Sequence, residues 1–125
     1  MDIEQIQKYC KKKAEVTESF PFDDETLVFK VANKIFCLAS LTPPFSINLK
    51  CDHEKAIELR ERFEEVIPGY HMNKAHWNTI MLDGTLRNPQ IESWIDDSYN
   101  LIVNSLPKKK ELILKRNRPN NLLRK

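Results

Sequence analysis

The chain has 125 residues, of which 41% are hydrophobic and 30% are charged, and its formal net charge is +2. This length and balance are typical of a single globular domain with its own hydrophobic core, and they exclude a disordered chain. The only glycines are Gly69 and Gly84, which excludes a glycine-rich phosphate-binding loop. No apolar run approaches the roughly 20 residues that span a bilayer.

Charge is unevenly distributed along the chain. Residues 107–125 hold eight Lys and Arg against Glu111 alone, a net charge of +7, so residues 1–106 carry the remaining net charge of −5. The sequence therefore predicts an acidic domain over residues 1–107, followed by a basic C-terminal tail over residues 108–125. We expect this tail to be mobile, because it contains few apolar residues.

The three cysteines and the first residues of the chain indicate a reducing compartment. Cys10, Cys37 and Cys51 are odd in number and no two are separated by two residues, which argues against a disulfide framework and a zinc finger. We expect buried, unreactive thiols. Residues 1–13 are acidic and then basic without an apolar core, unlike a signal peptide. We therefore expect a cytoplasmic protein that does not associate with a membrane.

The first half of the chain predicts one helix and three strands. Asp2 is an N-cap candidate at the start of a capping box. Two runs rich in β-branched and aromatic residues, Leu27–Val31 and Lys34–Ser40, flank a two-residue turn and predict a hairpin. Residues 45–51 alternate between apolar and polar side chains, which predicts a half-solvated antiparallel strand with Phe45 on its buried face.

The second half predicts two helices and two further strands. In chain order these are a helix that opens at Asp52 with Val66 on its apolar side, strands over Tyr70–Met72 and Trp77–Leu82, and a helix with Asn88 as N-cap that stops before Pro107. The complete order is helix, three strands, helix, two strands, helix. Strands joined by short links predict an α+β fold, in which helices pack on one side of an antiparallel sheet.

Several short motifs follow one another in an order that is specific when taken together. They are Phe20-Pro21-Phe22, Val28-Phe29-Lys30-Val31, Lys34-Ile35-Phe36, Asn48-Leu49-Lys50-Cys51, Pro68-Gly69-Tyr70-His71-Met72-Asn73-Lys74, His76-Trp77-Asn78 and Asp97-Ser98-Tyr99. From about Tyr9 to about Lys109, this pattern resembles the MmcQ/YjbR family of small bacterial proteins.

The resemblance implies both a fold and a function. The family's fold is an antiparallel sheet flanked by helices, similar to frataxin-like and secretion-chaperone-like domains. The family commonly carries the label DNA-binding, so the resemblance implies binding to DNA. The basic extension after Lys110 is longer than in the typical member and has no counterpart in the family pattern.

The candidate nucleic-acid contacts are basic residues and one asparagine on or beside the predicted strands, together with basic residues of the tail. The full set is Lys30, Lys34, Lys50, Lys74, His76 and Asn78 in the domain, with Lys108, Lys109, Lys110, Arg116 and Arg118 in the tail. Lysines gathered on one face of the sheet can bind phosphates whatever the net charge of the domain, and the tail adds non-specific, salt-sensitive attraction. The alternative is that these are ordinary solvated lysines, some of which protect a sheet edge.

The predicted second hairpin has the most varied side chains and admits three interpretations. In the first it is a binding hairpin that contacts phosphates and base edges and stacks an exposed aromatic on bases. In the second, Trp77 belongs to the core and the polar residues build the turn. In the third, His71 and His76 hold a metal with His53 or Asp83, although the spacing of the first two places them on opposite sides of a continuous strand.

The sequence contains no nucleophile elbow and no nucleotide fingerprint, so we expect no catalytic activity, no cofactor and no metal. The leading hypothesis is a non-enzymatic, monomeric DNA-binding protein. The alternative is a protein-interaction or chaperone-like adaptor that uses the sheet face and exposes an apolar patch there. A third possibility, a small-molecule or catalytic role, requires a deep polar pocket near His71, Trp77 and Tyr99.

Overall fold

Residues 1–69 and 72–108, described by a computed structural model, form three helices and one six-stranded antiparallel sheet. In chain order the elements are α1 (Ile3–Lys11), β1 (Val16–Ser19), β2 (Thr26–Val31), β3 (Lys34–Ser40), β4 (Ser46–Lys50), α2 (His53–Arg62), β5 (Val66–Pro68), β6 (Trp77–Met81) and α3 (Asn88–Asn104). In space the strands lie in the order β1-β2-β3-β4-β6-β5. The predicted α+β class is confirmed.

The C-terminal tail was predicted to be mobile. From position 109 onward it lies outside the described ranges. Among the helices of the described ranges, none has both the length and the apolar character that a membrane crossing requires.

All three helices pack on one face of the sheet, as predicted. Ile6 of α1, Leu59 of α2 and Ile95 of α3 meet Phe29 and Ile47 from the strands in one buried cluster. We call the surface of the sheet that these helices cover the helix face, and the opposite surface the open face. Because side chains alternate along a strand, every second strand residue belongs to the open face.

Local sequence signals determine where α1 begins and how β2 turns into β3. The Asp2 side chain accepts the Gln5 N–H at 2.8 Å, and the Gln5 side-chain oxygen accepts the Asp2 N–H at 2.9 Å, so the predicted capping box is confirmed. Ala32 and Asn33 form the predicted two-residue turn, with φ of 51° and 64°. Two positive φ values match the twist of the flanking strands, as type I′ turns do.

Two strands differ from the prediction. β1 was not expected; it is a four-residue strand at the edge of the described sheet, where it pairs with β2. β5 was not expected either, and its Val66 pairs with Ile80. Of the strand predicted at Tyr70–Met72, the first two residues lie outside the described ranges. Val66 does not belong to α2, because this helix ends at Arg62 and Phe63 already has extended backbone angles of −128° and 121°.

Two boundaries also differ. Arg87, not Asn88, is the N-cap of α3, and no side chain caps this helix end. Pro89 lies in the first turn of α3 whether Arg87 or Asn88 is the N-cap. Proline is tolerated there because a backbone N–H in the first turn has no partner within the helix. Phe45 was predicted to be buried at the start of a strand, but it precedes β4 and is 41% exposed. Ile47 is buried, as the alternating pattern predicted.

Candidate nucleic-acid interface

The open face carries lysines and neutral side chains but no carboxylate on its strands. From β1 to β5 in spatial order, its residues are Thr17, Ser19, Thr26, Val28, Lys30, Ile35, Leu38, Ser40, Ser46, Asn48, Lys50, Trp77, Thr79, Met81 and Ile67. Glu18 is the one acidic residue of the six described strands, and it lies on the helix face, where it accepts hydrogen bonds from Gln7 and Lys11 of α1. The strands themselves therefore leave the positive charge of the open face without a neutralising partner.

Lys30 and Lys50 lie near the same level of the open face. Lys30 pairs with Ile35 of β3, and Lys50 pairs with Trp77 of β6. β2 and β4 are two strand spacings apart, which places the backbones of the two lysines roughly 10 Å apart. Both lysines are half-buried, so their aliphatic stems lie along the sheet and their ammonium groups extend toward water. Neither forms an ion pair with a carboxylate of the described ranges.

The two ends of the sheet differ in charge. The loops at one end, residues 20–25, 41–45, 63–65 and 82–87, hold one cation, Arg87, against six carboxylates. Their carboxylates are Asp23, Asp24, Glu25, Glu64, Glu65 and Asp83. We call this the acidic end, and the opposite end, where β2 turns into β3 and where β6 begins, the basic end.

The basic end brings together most of the predicted contacts from the domain. Lys34, Lys74 and His76 are exposed there, beside Lys30 and Lys50. Lys108 is exposed shortly after α3. The other predicted tail residues, Lys109, Lys110, Arg116 and Arg118, lie outside the described ranges.

Asn78, which was predicted to contact nucleic acid, is instead buried on the helix face with 1% exposure. Its side-chain oxygen accepts a hydrogen bond of 2.6 Å from Arg60 Nε, and its amide donates to the Ala56 carbonyl oxygen at 3.3 Å. The side-chain oxygen and amide nitrogen of Asn78 therefore bond to other groups of the protein and do not face solvent. The alternation of β6 explains the difference, since Asn78 follows Trp77 and faces the opposite side.

Arg60 of α2 organises the basic end, a role that no pattern in the sequence indicated. Its guanidinium donates to the carbonyl oxygens of Lys74 and Trp77, in addition to its bond with Asn78. Arg60 therefore fastens the loop that carries Lys74 and His76 to the second helix. Sequence analysis missed it, because its partners lie in another element, 14 to 18 residues along the chain.

Ser98 fixes the sheet next to Lys50. It is fully buried in α3, donates a hydrogen bond of 2.5 Å to the Phe36 carbonyl oxygen and accepts the Lys50 N–H at 2.9 Å. The register of β2 and β3 shifts between Phe29 and Lys30, which makes Phe36 the extra residue of a bulge. The Ser98 hydroxyl thus bonds the Phe36 carbonyl oxygen and the Lys50 N–H, two backbone groups that the irregular pairing leaves available. These bonds connect the backbone of Lys50 to α3.

Trp77 is a structural residue and not a stacking platform. It lies on the open face but is only 8% exposed, in a small cluster with Val28, Leu38 and the partly buried Ile35 and Met72. Trp77 is therefore buried, as the second interpretation of this segment expected, and its ring is not open to stacking on bases.

The histidines and thiols offer no reactive site in the described ranges. His53 Nδ1 lies 3.0 Å from the Ala75 carbonyl oxygen, and its ring centroid is 6.1 Å from that of His76. Asp83 is at the acidic end, so it cannot join them, and no group of three potential metal ligands occurs among the described residues. Burial raises the pKa of the Cys37 thiol, with a further contribution from Cys10. All three cysteines are buried, as predicted.

The polar pocket required for a small-molecule role does not form between Trp77 and Tyr99. Trp77 is on the open face, whereas Tyr99 is on the helix side and donates a hydrogen bond of 2.7 Å to the Ala14 carbonyl oxygen. The third residue of that hypothesis, His71, lies outside the described ranges.

The exposed apolar groups are not where the adaptor hypothesis expected them. Among the described residues, the large hydrophobic side chains with the most exposure are Phe20, Phe22, Phe45 and Ile57. The three phenylalanines belong to loops at the acidic end, and Ile57 belongs to α2. None of these four side chains lies on the open face, where the adaptor hypothesis expected an apolar patch.

Comparison with known proteins establishes the family. A family model described as YjbR matches residues 11–101. The chain belongs to the YjbR family. Among its relatives, the uncharacterized protein YjbR of Escherichia coli strain K12 is 35% identical over 115 residues, which cover 91% of this chain and 98% of that protein. The uncharacterized protein YbdF of Escherichia coli O157:H7 is 36% identical over 125 residues, which cover 95% and 99%.

Solved structures share the YjbR fold described above. The crystal structure of Deinococcus radiodurans protein DR2400, with a domain of the family model DUF419, superposes with a TM-score of 0.85 at 34% identity over 90% of this chain and 87% of that one. A crystal structure of a Pseudomonas syringae protein superposes with a TM-score of 0.72 at 29% identity over 81% and 98%. The family resemblance and the fold that it implied are confirmed.

Proposed function

We propose that this YjbR protein is a monomeric, non-enzymatic, cytoplasmic DNA-binding protein that holds duplex DNA by its phosphates. The contacts come from Lys30 and Lys50 on the open face and from Lys34, Lys74 and His76 at the basic end. The basic tail adds further attraction. The observation that carries the proposal is that the described strands of the open face hold no carboxylate, and that their lysines form no ion pair with any described residue.

Local charge supports the proposal even though residues 1–106 carry a net charge of −5. Phosphates respond to the field at the surface they approach, and this field depends on clustering more than on the total charge. The carboxylates of the acidic end lie at the far end of the strands, so they repel DNA there and favour its approach by the basic end. Charge separation of this kind orients a protein before contact.

The side chains of the open face favour a duplex over a single strand. Binding of single strands without sequence preference depends on aromatic rings that are open to stacking. Trp77, the aromatic residue of the open-face strands, is 8% exposed and already packed. Lysine contacts to phosphates need no unstacked base and carry no sequence information. The proposal therefore specifies non-specific, salt-sensitive binding to duplex DNA.

The experiment is a titration of the full chain with a fluorescently labelled duplex over a series of salt concentrations. Phosphate contacts release counterions, so the logarithm of the binding constant should fall linearly with the logarithm of salt concentration, by about 0.9 for each phosphate neutralised. Four or more contacts predict a slope of about −4 or steeper. A single strand of equal length should bind more weakly. Absence of binding to the duplex at low salt would show that the proposal is wrong.

A further inference from the structure

A groove of about 610 Å³ lies at the acidic end, between the first turn of α1 and the loops that precede β4 and follow β6. Its apolar lining comes from Met1, Ile3, Phe45 and Leu82. Phe45 is 41% exposed, although its strand neighbours two and four residues on are buried. A partly exposed phenyl ring in the lining of a concave surface is a feature of interaction sites.

Carboxylates surround this apolar lining. Asp2, Glu4 and Asp83 belong to the same groove, and none of them forms an ion pair with a Lys or Arg of the described ranges. Two of the three are held in place by local bonds: Asp2 caps α1, and Asp83 accepts the Thr85 N–H at 3.0 Å.

The charge around the groove remains negative when its neighbours are included. The nearby cations are the amino group of Met1 and the side chains of Lys8, one turn after Glu4 on α1, of Arg62 at the end of α2 and of Arg87. Against them stand the three carboxylates of the groove and those of residues 23–25 and 64–65, which belong to loops at the same end.

We propose that this groove, which we call the acidic groove, docks a basic peptide segment of a partner protein. Apolar side chains of the segment enter between Phe45, Leu82 and Ile3, and its lysines or arginines meet Asp2, Glu4 and Asp83. Charge complementarity selects this occupant, because an acidic segment or a nucleic acid is repelled by the same carboxylates. The apolar lining supplies affinity that charge alone does not give.

The acidic groove and the basic end lie at opposite ends of the same strands. A peptide in the groove therefore leaves Lys30, Lys50 and Lys74 accessible, and the protein can carry a basic partner and a polyanion at once. The inference does not depend on the DNA-binding proposal, because it uses none of the same residues.

The test is a titration of the isotopically labelled full chain with a short synthetic peptide of lysine, leucine and alanine, with its leucines at helical spacing. We expect chemical-shift changes in Ile3, Phe45 and Leu82, and affinity that falls with added salt. Two control peptides separate the contributions: one with glutamate in place of lysine, and one with alanine in place of leucine. Neither control should bind.

Substitutions locate the binding. Phe45→Ser should lower the affinity for the basic peptide by about tenfold, since it removes the aromatic contact of the groove. Glu4→Gln and Asp83→Asn should each lower the affinity for the basic peptide severalfold and make that affinity less dependent on salt. Phe22→Ser is the matched control, because Phe22 is 64% exposed at the same end but does not line the groove, and it should leave the affinity unchanged.

Three outcomes would overturn the inference. The first is that the basic peptide fails to bind at low salt, or binds Phe45→Ser as well as it binds the unaltered chain. The second is that an uncharged leucine and alanine peptide binds equally well, which would make the groove a general apolar site. The third is a concentration-dependent dimer in sedimentation that Phe45→Ser abolishes, which would make the occupant a second copy of the chain. Duplex binding by Phe45→Ser should remain unchanged in every case.

Discussion

Arg60 Nε donates a hydrogen bond of 2.6 Å to the side-chain oxygen of Asn78, which joins α2 to the buried side of β6. Asn78 is 1% exposed, so its loss leaves Arg60 Nε without its acceptor in a partly buried site. We predict that Asn78→Ala lowers the free energy of unfolding by about 2 kcal/mol. Urea denaturation followed by circular dichroism measures the change.

The matched control for that prediction is Asn88→Ala. Asn88 is exposed at the start of α3 and makes no capping hydrogen bond, so its replacement should change stability by less than about 0.5 kcal/mol. Equal effects of Asn78→Ala and Asn88→Ala would mean that the bond between Arg60 and Asn78 contributes little to the fold.

Which features could be predicted from the sequence depends on the range of the interactions that produce them. The capping box of α1 and the turn at Ala32 and Asn33 arise from neighbouring residues, so local patterns revealed them. The strict alternation of residues 46–50 likewise predicted that Lys50 and the buried Ile47 lie on opposite faces of the same strand. The same reasoning placed Lys30 on a strand, although the bulge beside it was not foreseen.

The features that sequence analysis missed depend on distant partners. β1 has four residues at a sheet edge, and only its pairing with β2 identifies it as a strand. β5 has three residues that end in Pro68, and its partner β6 lies beyond a loop. Asn78 was predicted to contact nucleic acid because it belongs to the polar stretch of the second hairpin, whereas the Arg60 side chain that it bonds comes from another element.

The turn between β2 and β3 offers a stabilising substitution. Ala32 has a φ of 51°, a conformation that costs an L-residue with a Cβ roughly 1 kcal/mol and glycine nothing. We predict that Ala32→Gly raises the free energy of unfolding by about 0.5 to 1 kcal/mol, because the relief of strain exceeds the entropy cost of glycine. Ala75→Gly is the control at a loop alanine without a positive φ, and it should be neutral or destabilising. Thermal denaturation of both variants would test the sign.

The contact between α1 and β1 predicts a pH dependence. Hydrogen bonds from Lys11 and then Gln7 hold the pKa of Glu18 below its ordinary value. A carboxylate with a lowered pKa stabilises the folded state above its unfolded pKa, and this contribution is lost as the pH falls through the folded pKa. Glu18→Gln should therefore reduce stability near neutral pH, by about 0.5 kcal/mol for so exposed a pair, and should have little effect in strong acid.

A double-mutant cycle identifies the partner of Glu18. Denaturation of Glu18→Gln, Lys11→Gln and the double variant should give effects that do not add at neutral pH, since both changes remove the same ion pair, 2.7 Å long. Additive effects, or an effect of Glu18→Gln that grows as the pH falls, would contradict this assignment.

The central claim is that phosphates bind to the open face, and the most direct measurement compares two double variants that remove the same charge. Lys30→Gln with Lys50→Gln alters the open face, whereas Lys8→Gln with Lys12→Gln alters exposed lysines of α1 and its C-cap on the other side of the sheet. In salt titrations with duplex DNA, we predict that the first pair makes the slope shallower by about 2 and weakens binding at every salt concentration. The second pair should leave both quantities close to those of the unaltered chain. Equal losses from the two pairs, or no loss from the first, would contradict the account.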